Sequence, residues 1–298
     1  KFKMARLYYL HNYLDEAEVL LKDIIKSHPK HQVSEYSANI LLDIYDIRKD
    51  YVGLQNMGNQ LLSDKALTEK AGLANEIKNV VEKASFIKAQ NLEKESKFLD
   101  SAALFEQFAE QNKTSELAHS ALFNAAVNFE RAGSTPKAKE SYLKVVAFKG
   151  KDQNSLSLRA KKQLTKIYLD SGDYYSLLKS YEDLLLTTDK KDKDYGNYLF
   201  NSALMYEVLN KSEKAVEQYL LFIKNSESSD DTAELIFKTA ELARKSKLQL
   251  SALQQYYKYT VAKFSKPEKL IEAHYWSYAL NFQSYSPSEY KKSEAKIN

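Results

Sequence analysis

Leu122-Phe123-Asn124-Ala125-Ala126-Val127-Asn128-Phe129-Glu130 recurs downstream as Leu199-Phe200-Asn201-Ser202-Ala203-Leu204-Met205-Tyr206-Glu207. Five of the nine positions are identical and two more are close, at an offset of 77 residues, about twice 38. Self-similarity at a fixed period of this size implies a stack of supersecondary units, because a single such unit cannot bury its own apolar face. At the intermediate register, Leu164, Ile167 and Tyr168 keep the i, i+3, i+4 spacing of an amphipathic helix. The helices that carry these motifs end in turn formers: Gly133-Ser134-Thr135-Pro136, Ser171-Gly172-Asp173 and Asn210-Lys211-Ser212. Beyond each turn a second apolar-periodic stretch begins, so the unit is a helical hairpin.

Aligning the early small or apolar residue of each second helix gives Ala17, Leu54, Ala102, Ala138, Leu177, Ala215 and Ala252, at intervals of 37, 48, 36, 39, 38 and 37. The long interval predicts an extended first helix over about 71–97. Small residues in this series let helices approach closely, and Tyr142, Tyr181, Tyr219 and Tyr256 fill the gap to the next unit.

Composition agrees with an all-α chain. Its 298 residues hold only 7 Gly and 4 Pro, too few for a protein of many tight hairpins, and 44% hydrophobic residues suffice for a core. No cysteine is present, which excludes disulfides and thiolate chemistry and leaves the compartment open. The longest stretch without Asp, Glu, Lys or Arg, 273–288, is interrupted by His274, Asn281, Gln283 and Pro287, so no membrane span is expected. Net charge is +4, but nine Lys/Arg against Glu140 and Asp152 give 137–166 a local +7 and leave −3 for the rest. The start at Lys1, without an initiator Met or a signal-like stretch, reads as a processed or trimmed chain.

The hairpins resemble the tetratricopeptide repeat (TPR). Tyr8, Asn12-Tyr13-Leu14-Asp15-Glu16-Ala17, Leu21 and Pro29 follow that family's large, small and Pro order, as do Phe129, Gly133, Ala138 and Tyr142. The departures are Lys49-Asp50-Tyr51 and Asn210 where the family has Gly-Tyr, a terminal Pro in the first unit alone, and a period longer than the consensus of about 34. The resemblance implies a right-handed α-solenoid of about seven stacked antiparallel hairpins. These form one domain over 1–298, read as a fragment of a larger array because neither end shows a polar cap. Loose arrays of this kind are similar to repeat domains of bacterial envelope-assembly and motility proteins, which places the chain in the periplasm or envelope, with the cytoplasm as the alternative.

In that family the concave groove grips peptides. The resemblance puts Phe123 and Phe200 on the groove, beside Asn124 and Asn201, with Arg159, Lys162, Gln163 and Lys166 on the first helix between them. Such a surface suits an acidic or C-terminal peptide with hydrophobic anchors; the plain alternative for the Lys and Arg is a solvated helix face. Tyr168, Phe129 and Tyr206 are assigned to the repeat's own packing. The segment Ala273 to Phe282, with the only Trp, is expected to pack on a following repeat, with a partner-binding helix as the alternative.

Catalytic chemistry is not legible. Gly-x-Ser-x-Gly, the phosphate-loop motif and His-Glu-x-x-His are all missing. His28-Pro29-Lys30-His31 lacks a third ligand for a metal, and Asp15-Glu16 and Asp230-Asp231 sit at helix starts, where capping and dipole interactions explain them. The expectation is therefore a non-catalytic scaffold for a protein or peptide partner, without cofactor or small-molecule substrate. Two rivals are a nucleic-acid binder using 137–166, which lacks the usual interleaved stacking residues, and the adaptor region of a larger enzyme or regulatory protein.

Overall fold

The computed structural model describes residues 1–69, 71–149, 153–227 and 229–284. Tyr290–Asn298, whose place in the repeat period predicts the opening of a further second helix, lies outside them. The described residues form fifteen helices and no strand. In chain order these are α1 (Phe2–Leu10), α2 (Leu14–Ser27), α3 (Gln32–Ile47), α4 (Tyr51–Ser63), α5 (Ala71–Lys94), α6 (Phe98–Gln111), α7 (Ala118–Arg131) and α8 (Thr135–Ala147). They continue as α9 (Gln153–Asp170), α10 (Tyr174–Thr187), α11 (Tyr195–Val208), α12 (Ser212–Asn225), α13 (Asp230–Lys245), α14 (Gln249–Thr260) and α15 (Pro267–Ser284). The long first helix expected over 71–97 is α5, which stops at Lys94.

One backbone device builds every hairpin. Asn12, Lys49, Ser96, Gly133, Gly172, Asn210 and Lys247 adopt positive φ, between 56° and 72°, each just before a second helix. A left-handed residue at this place lets the chain reverse while the last carbonyls of the first helix stay hydrogen-bonded. In the fourth hairpin Gly133 N–H donates to Glu130 O and Ser134 N–H to Phe129 O, both at 2.9 Å. The same pair of bonds recurs at the other six turns, for example Asn210 to Glu207 and Lys211 to Tyr206. Only two of the seven positions are glycine, so five turns hold a side chain in a conformation that L residues disfavour.

The left-handed residues also correct the repeat register. Five positions after each lie Ala17, Leu54, Ser101, Ala138, Leu177, Ala215 and Ala252, all essentially inaccessible. In the third hairpin the repeat position is therefore Ser101 and not its neighbour Ala102, and the intervals around it become 47 and 37. Ser101 is polar but satisfied, its hydroxyl donating to Ala89 O at 2.8 Å. Seven positions before the left-handed residue, Ala5, Ala89, Ala126, Ala203 and Ala240 are fully buried on the first helices. Small residues on both helices allow close packing in these five hairpins; the second and fifth carry Leu42 with Leu54 and Thr165 with Leu177 at the same places.

Cα proximity divides the chain into two compact units, Lys1–Ala160 and Lys161–Asn298. In the first, Leu21, Leu41, Ile44, Leu54 and Ile77 belong to one apolar core. Gly58 takes the place that Tyr142 holds in its own hairpin; a Cβ there would lie 2.1 Å from Val81 Cγ2, so glycine admits α5 against α4. In the second unit Val216, Tyr219, Phe237, Tyr256 and Tyr259 form the corresponding core. Tyr142, Tyr219 and Tyr256 are fully buried as expected from their gap-filling position, whereas Tyr181 is only partly buried.

His31 caps α3, its Nδ1 accepting from Val33 N–H at 3.1 Å, which gives the His28–His31 loop a structural use. Ser229, not the Asp230-Asp231 pair, provides the side-chain cap of α13 through Thr232 N–H at 3.2 Å, while the two carboxylates sit in its first turn. No described helix is long and apolar enough to cross a membrane.

Candidate functional site

The first helices repeat an aromatic pair. Phe123 on α7 meets Tyr142 on α8 with ring centroids 5.8 Å apart; Phe200 on α11 meets Tyr219 on α12 at 5.9 Å; Phe237 on α13 meets Tyr256 on α14 at 5.8 Å. Phe237 stands one period of 37 beyond Phe200, a relation that counting in the sequence reveals.

The three rings differ in what lies over them. Phe123 is 5% exposed and Arg159 covers it, the guanidinium carbon 4.4 Å from the ring centre. Phe237 is equally buried, with Lys269 Nζ 5.1 Å from its ring centre. Phe200 is half-buried, touches Phe222 at 5.5 Å, and has no cation over it among the described residues. Of the two sequence-expected aromatic anchors, Phe123 is a core ring, and Phe200 opens onto a cleft.

That cleft lies within the second unit and measures about 1020 Å³. Phe200, Phe222, Leu235 and Phe237 form its apolar wall, and Asn197, Glu227, Asp231, Glu241, Lys238 and Lys269 its polar margin. Its lysines are already engaged. Lys238 pairs with Glu207 at 2.8 Å, and Lys269 pairs with Glu234, which also takes Lys266 at 2.6 Å. Hydrogen bonds from Lys266 and Lys269 outweigh burial and hold the Glu234 carboxyl below its ordinary range. Glu241 approaches Arg244 only at 3.8 Å, and Arg244 itself lies over Trp276 and donates to the Tyr256 hydroxyl. Glu227 and Asp231 have no ion-pair partner among the described residues. A smaller cleft of about 510 Å³ in the first unit joins α3 and α5 and also carries excess acid, Asp43, Asp46 and Glu76 against Lys83.

The other expected positions are placed as follows. Asn124, Asn201 and Gln163 are half-buried, and Asn124 O accepts from Asn128 Nδ2 at 2.9 Å. Arg159, Lys162 and Lys166 are exposed on α9. Lys162 pairs with Asp194 at 2.7 Å, a hydrogen bond that raises the Lys162 pKa and lowers that of Asp194. Within the basic stretch, Lys144 is bound by Glu106 at 2.6 Å and Glu140 at 3.2 Å, and Lys137 lies over Phe129. Local pairing thus quenches part of the +7 counted from the sequence.

Sequence reading missed Phe222, Phe237, Glu227, Asp231 and Glu241. Apart from the 37-residue step to Phe237, no local signal marks them, because α11, α12, α13 and α15 meet only through stacking.

The sequence matches no protein-family model and no curated protein. Among solved structures, the chain is similar to the TPR-like repeats of a kinesin light chain from Podosopora anserina, at TM-score 0.38 and 14% identity over 61% of this chain and 94% of that one. It is also similar to the C-terminal part of a TPR repeat-containing protein from Cytophaga hutchinsonii, at 0.39 and 13% over 92% and 99%. The apo form of RapI matches at 0.39 and 12% over 99% and 83%. Helical hairpins of near-constant period, each turned by one left-handed residue, make this an all-α helical repeat protein.

Proposed function

We propose that this chain is a non-catalytic scaffold whose first-helix surface holds a segment of a partner protein, and that the α11/α13 cleft of the second unit is a principal docking site. The observation that carries the reading is Phe200, a half-buried ring in the wall of a large cleft bounded by two further phenylalanines. Partly exposed aromatic rings in concave, mostly apolar sites are the usual anchors of an interface. Placement in a bacterial envelope-associated assembly belongs to the same proposal and rests on the repeat resemblance; fractionation of cells of the source organism tests it.

Site-specific photocrosslinking tests the docking site. A benzophenone side chain at Asn197, exposed at the cleft margin, should capture a discrete partner in cells, and Phe200→Ala should abolish the adduct. Adducts unchanged by Phe200→Ala would refute the assignment of the cleft.

A further inference from the structure

Resting on that docking reading, we propose that the α11/α13 cleft takes a basic segment of its partner, in which Lys or Arg residues flank an apolar anchor. Four carboxylates and two ammonium groups line the cleft, Glu227, Asp231, Glu234 and Glu241 against Lys238 and Lys269. Adding the ion-pair partners Glu207, Lys266 and Arg244 leaves five negative and four positive charges, so the excess of acid narrows but keeps its sign. Because both lysines of the wall are held by glutamates, an incoming carboxylate finds no uncommitted cation there.

The N-terminus of α13 is of opposite sign to Glu227 and Asp231. A helix end contributes roughly half a positive charge, which these two carboxylates outweigh. Glu241 lies ten residues beyond Asp231 on α13, about 15 Å along the helix at 1.5 Å per residue. The aromatic wall of Phe200, Phe222 and Phe237 lies in the same cleft. A segment with a cationic residue toward each end and a large apolar side chain between them matches this arrangement, and a cleft with low-dielectric walls strengthens the charge preference. The excess of acid in the α3/α5 cleft of the first unit repeats the sign independently.

Selection of a random-peptide phage library on the full chain separates the outcomes. The expected result is enrichment of peptides with Lys or Arg on both sides of an aromatic or aliphatic residue. Their synthetic versions should bind at least about tenfold more weakly to Phe200→Ala and to the double variant Asp231→Lys, Glu241→Lys, and should weaken as salt is raised. Circular dichroism establishes that both variants are folded, and Glu227→Gln provides a milder charge change at an exposed position. Acidic or neutral peptides that need Phe200 but ignore the charge reversals would overturn this inference while leaving the docking reading standing. Recovery of no peptide that depends on Phe200 would overturn both.

Discussion

The Tyr219 hydroxyl donates to Glu207 Oε2 at 2.9 Å, and twelve residues separate the two, as they separate Tyr142 from Glu130, bonded at 2.8 Å. Glu130 and Glu207 close the motif that recurs across 77 residues, so the repeat conserves a polar tie from the last turn of a first helix to the buried ring of the second. At the next step the pair becomes Arg244 and Tyr256, with the donor direction reversed at 3.3 Å. The tie therefore keeps its place while its chemistry changes.

Removing the hydroxyl alone should cost what a hydrogen bond to a charged group contributes. Tyr219→Phe and Tyr142→Phe are each expected to lower unfolding free energy by about 1–2 kcal/mol in urea melts, with unchanged helicity. Burial first, and then the glutamate, push both tyrosine pKa values up. The folded state thus retains protons that the unfolded chain releases from about pH 10, and stability is expected to fall progressively above that pH. Tyr206, raised to about 12 by burial and by its bond to Glu182, should add its loss between pH 10 and 12.

Glu18 governs the opposite end of the pH scale. Burial opposes its ionisation, but hydrogen bonds from Lys22 at 2.6 Å, Arg48 at 2.5 Å and Tyr45 at 2.7 Å prevail and hold it at about 2. Its contribution is present above its ordinary value of 4.5 and is lost as pH falls toward 2. Thermal melts of Glu18→Gln should show a shallower loss of stability across that window than the parent chain.

The left-handed turns make the sharpest stability test. Lys49→Gly, Ser96→Gly and Lys247→Gly should each stabilise by roughly 0.5–1 kcal/mol, because glycine relieves the disfavoured φ. Gly133→Ala and Gly172→Ala should destabilise by about 1 kcal/mol although no atom lies within 4 Å of the added Cβ. Equal melting temperatures throughout the series would count against the turn geometry.

Close packing at the repeat's small positions is tested by enlargement. Ala138→Leu and Ala215→Leu, both at fully buried sites, should cost roughly 1–3 kcal/mol by overpacking. Unchanged melting of both variants would contradict the register.

The period and the hairpins were legible because Ala17, Ala138, Ala215 and Ala252 recur at a small, fully buried position and Gly133 and Gly172 mark two turns. The third hairpin was misread by one residue. Ser101 and Ala102 are both small and both buried, and only the positive φ of Ser96 decides between them. Three of the seven turn residues are Lys or Ser, which sequence does not tie to a left-handed conformation, whereas Asn12 and Asn210 are of the type that adopts it most readily after glycine. Phe123 and Phe200 share a register and read alike; what separates them is Arg159, whose guanidinium covers one ring and not the other. Asp231 read as a helix-start residue, and its place at the cleft margin depends on helices distant in sequence.

Calorimetric titration of a captured partner, or of a selected peptide, into the parent chain and into Phe200→Ala tests the central claim most directly, with circular dichroism recorded on both. The account predicts a loss of about 2 kcal/mol in binding, roughly thirtyfold in Kd, at unchanged helicity. Equal affinity for the two folded proteins would contradict it.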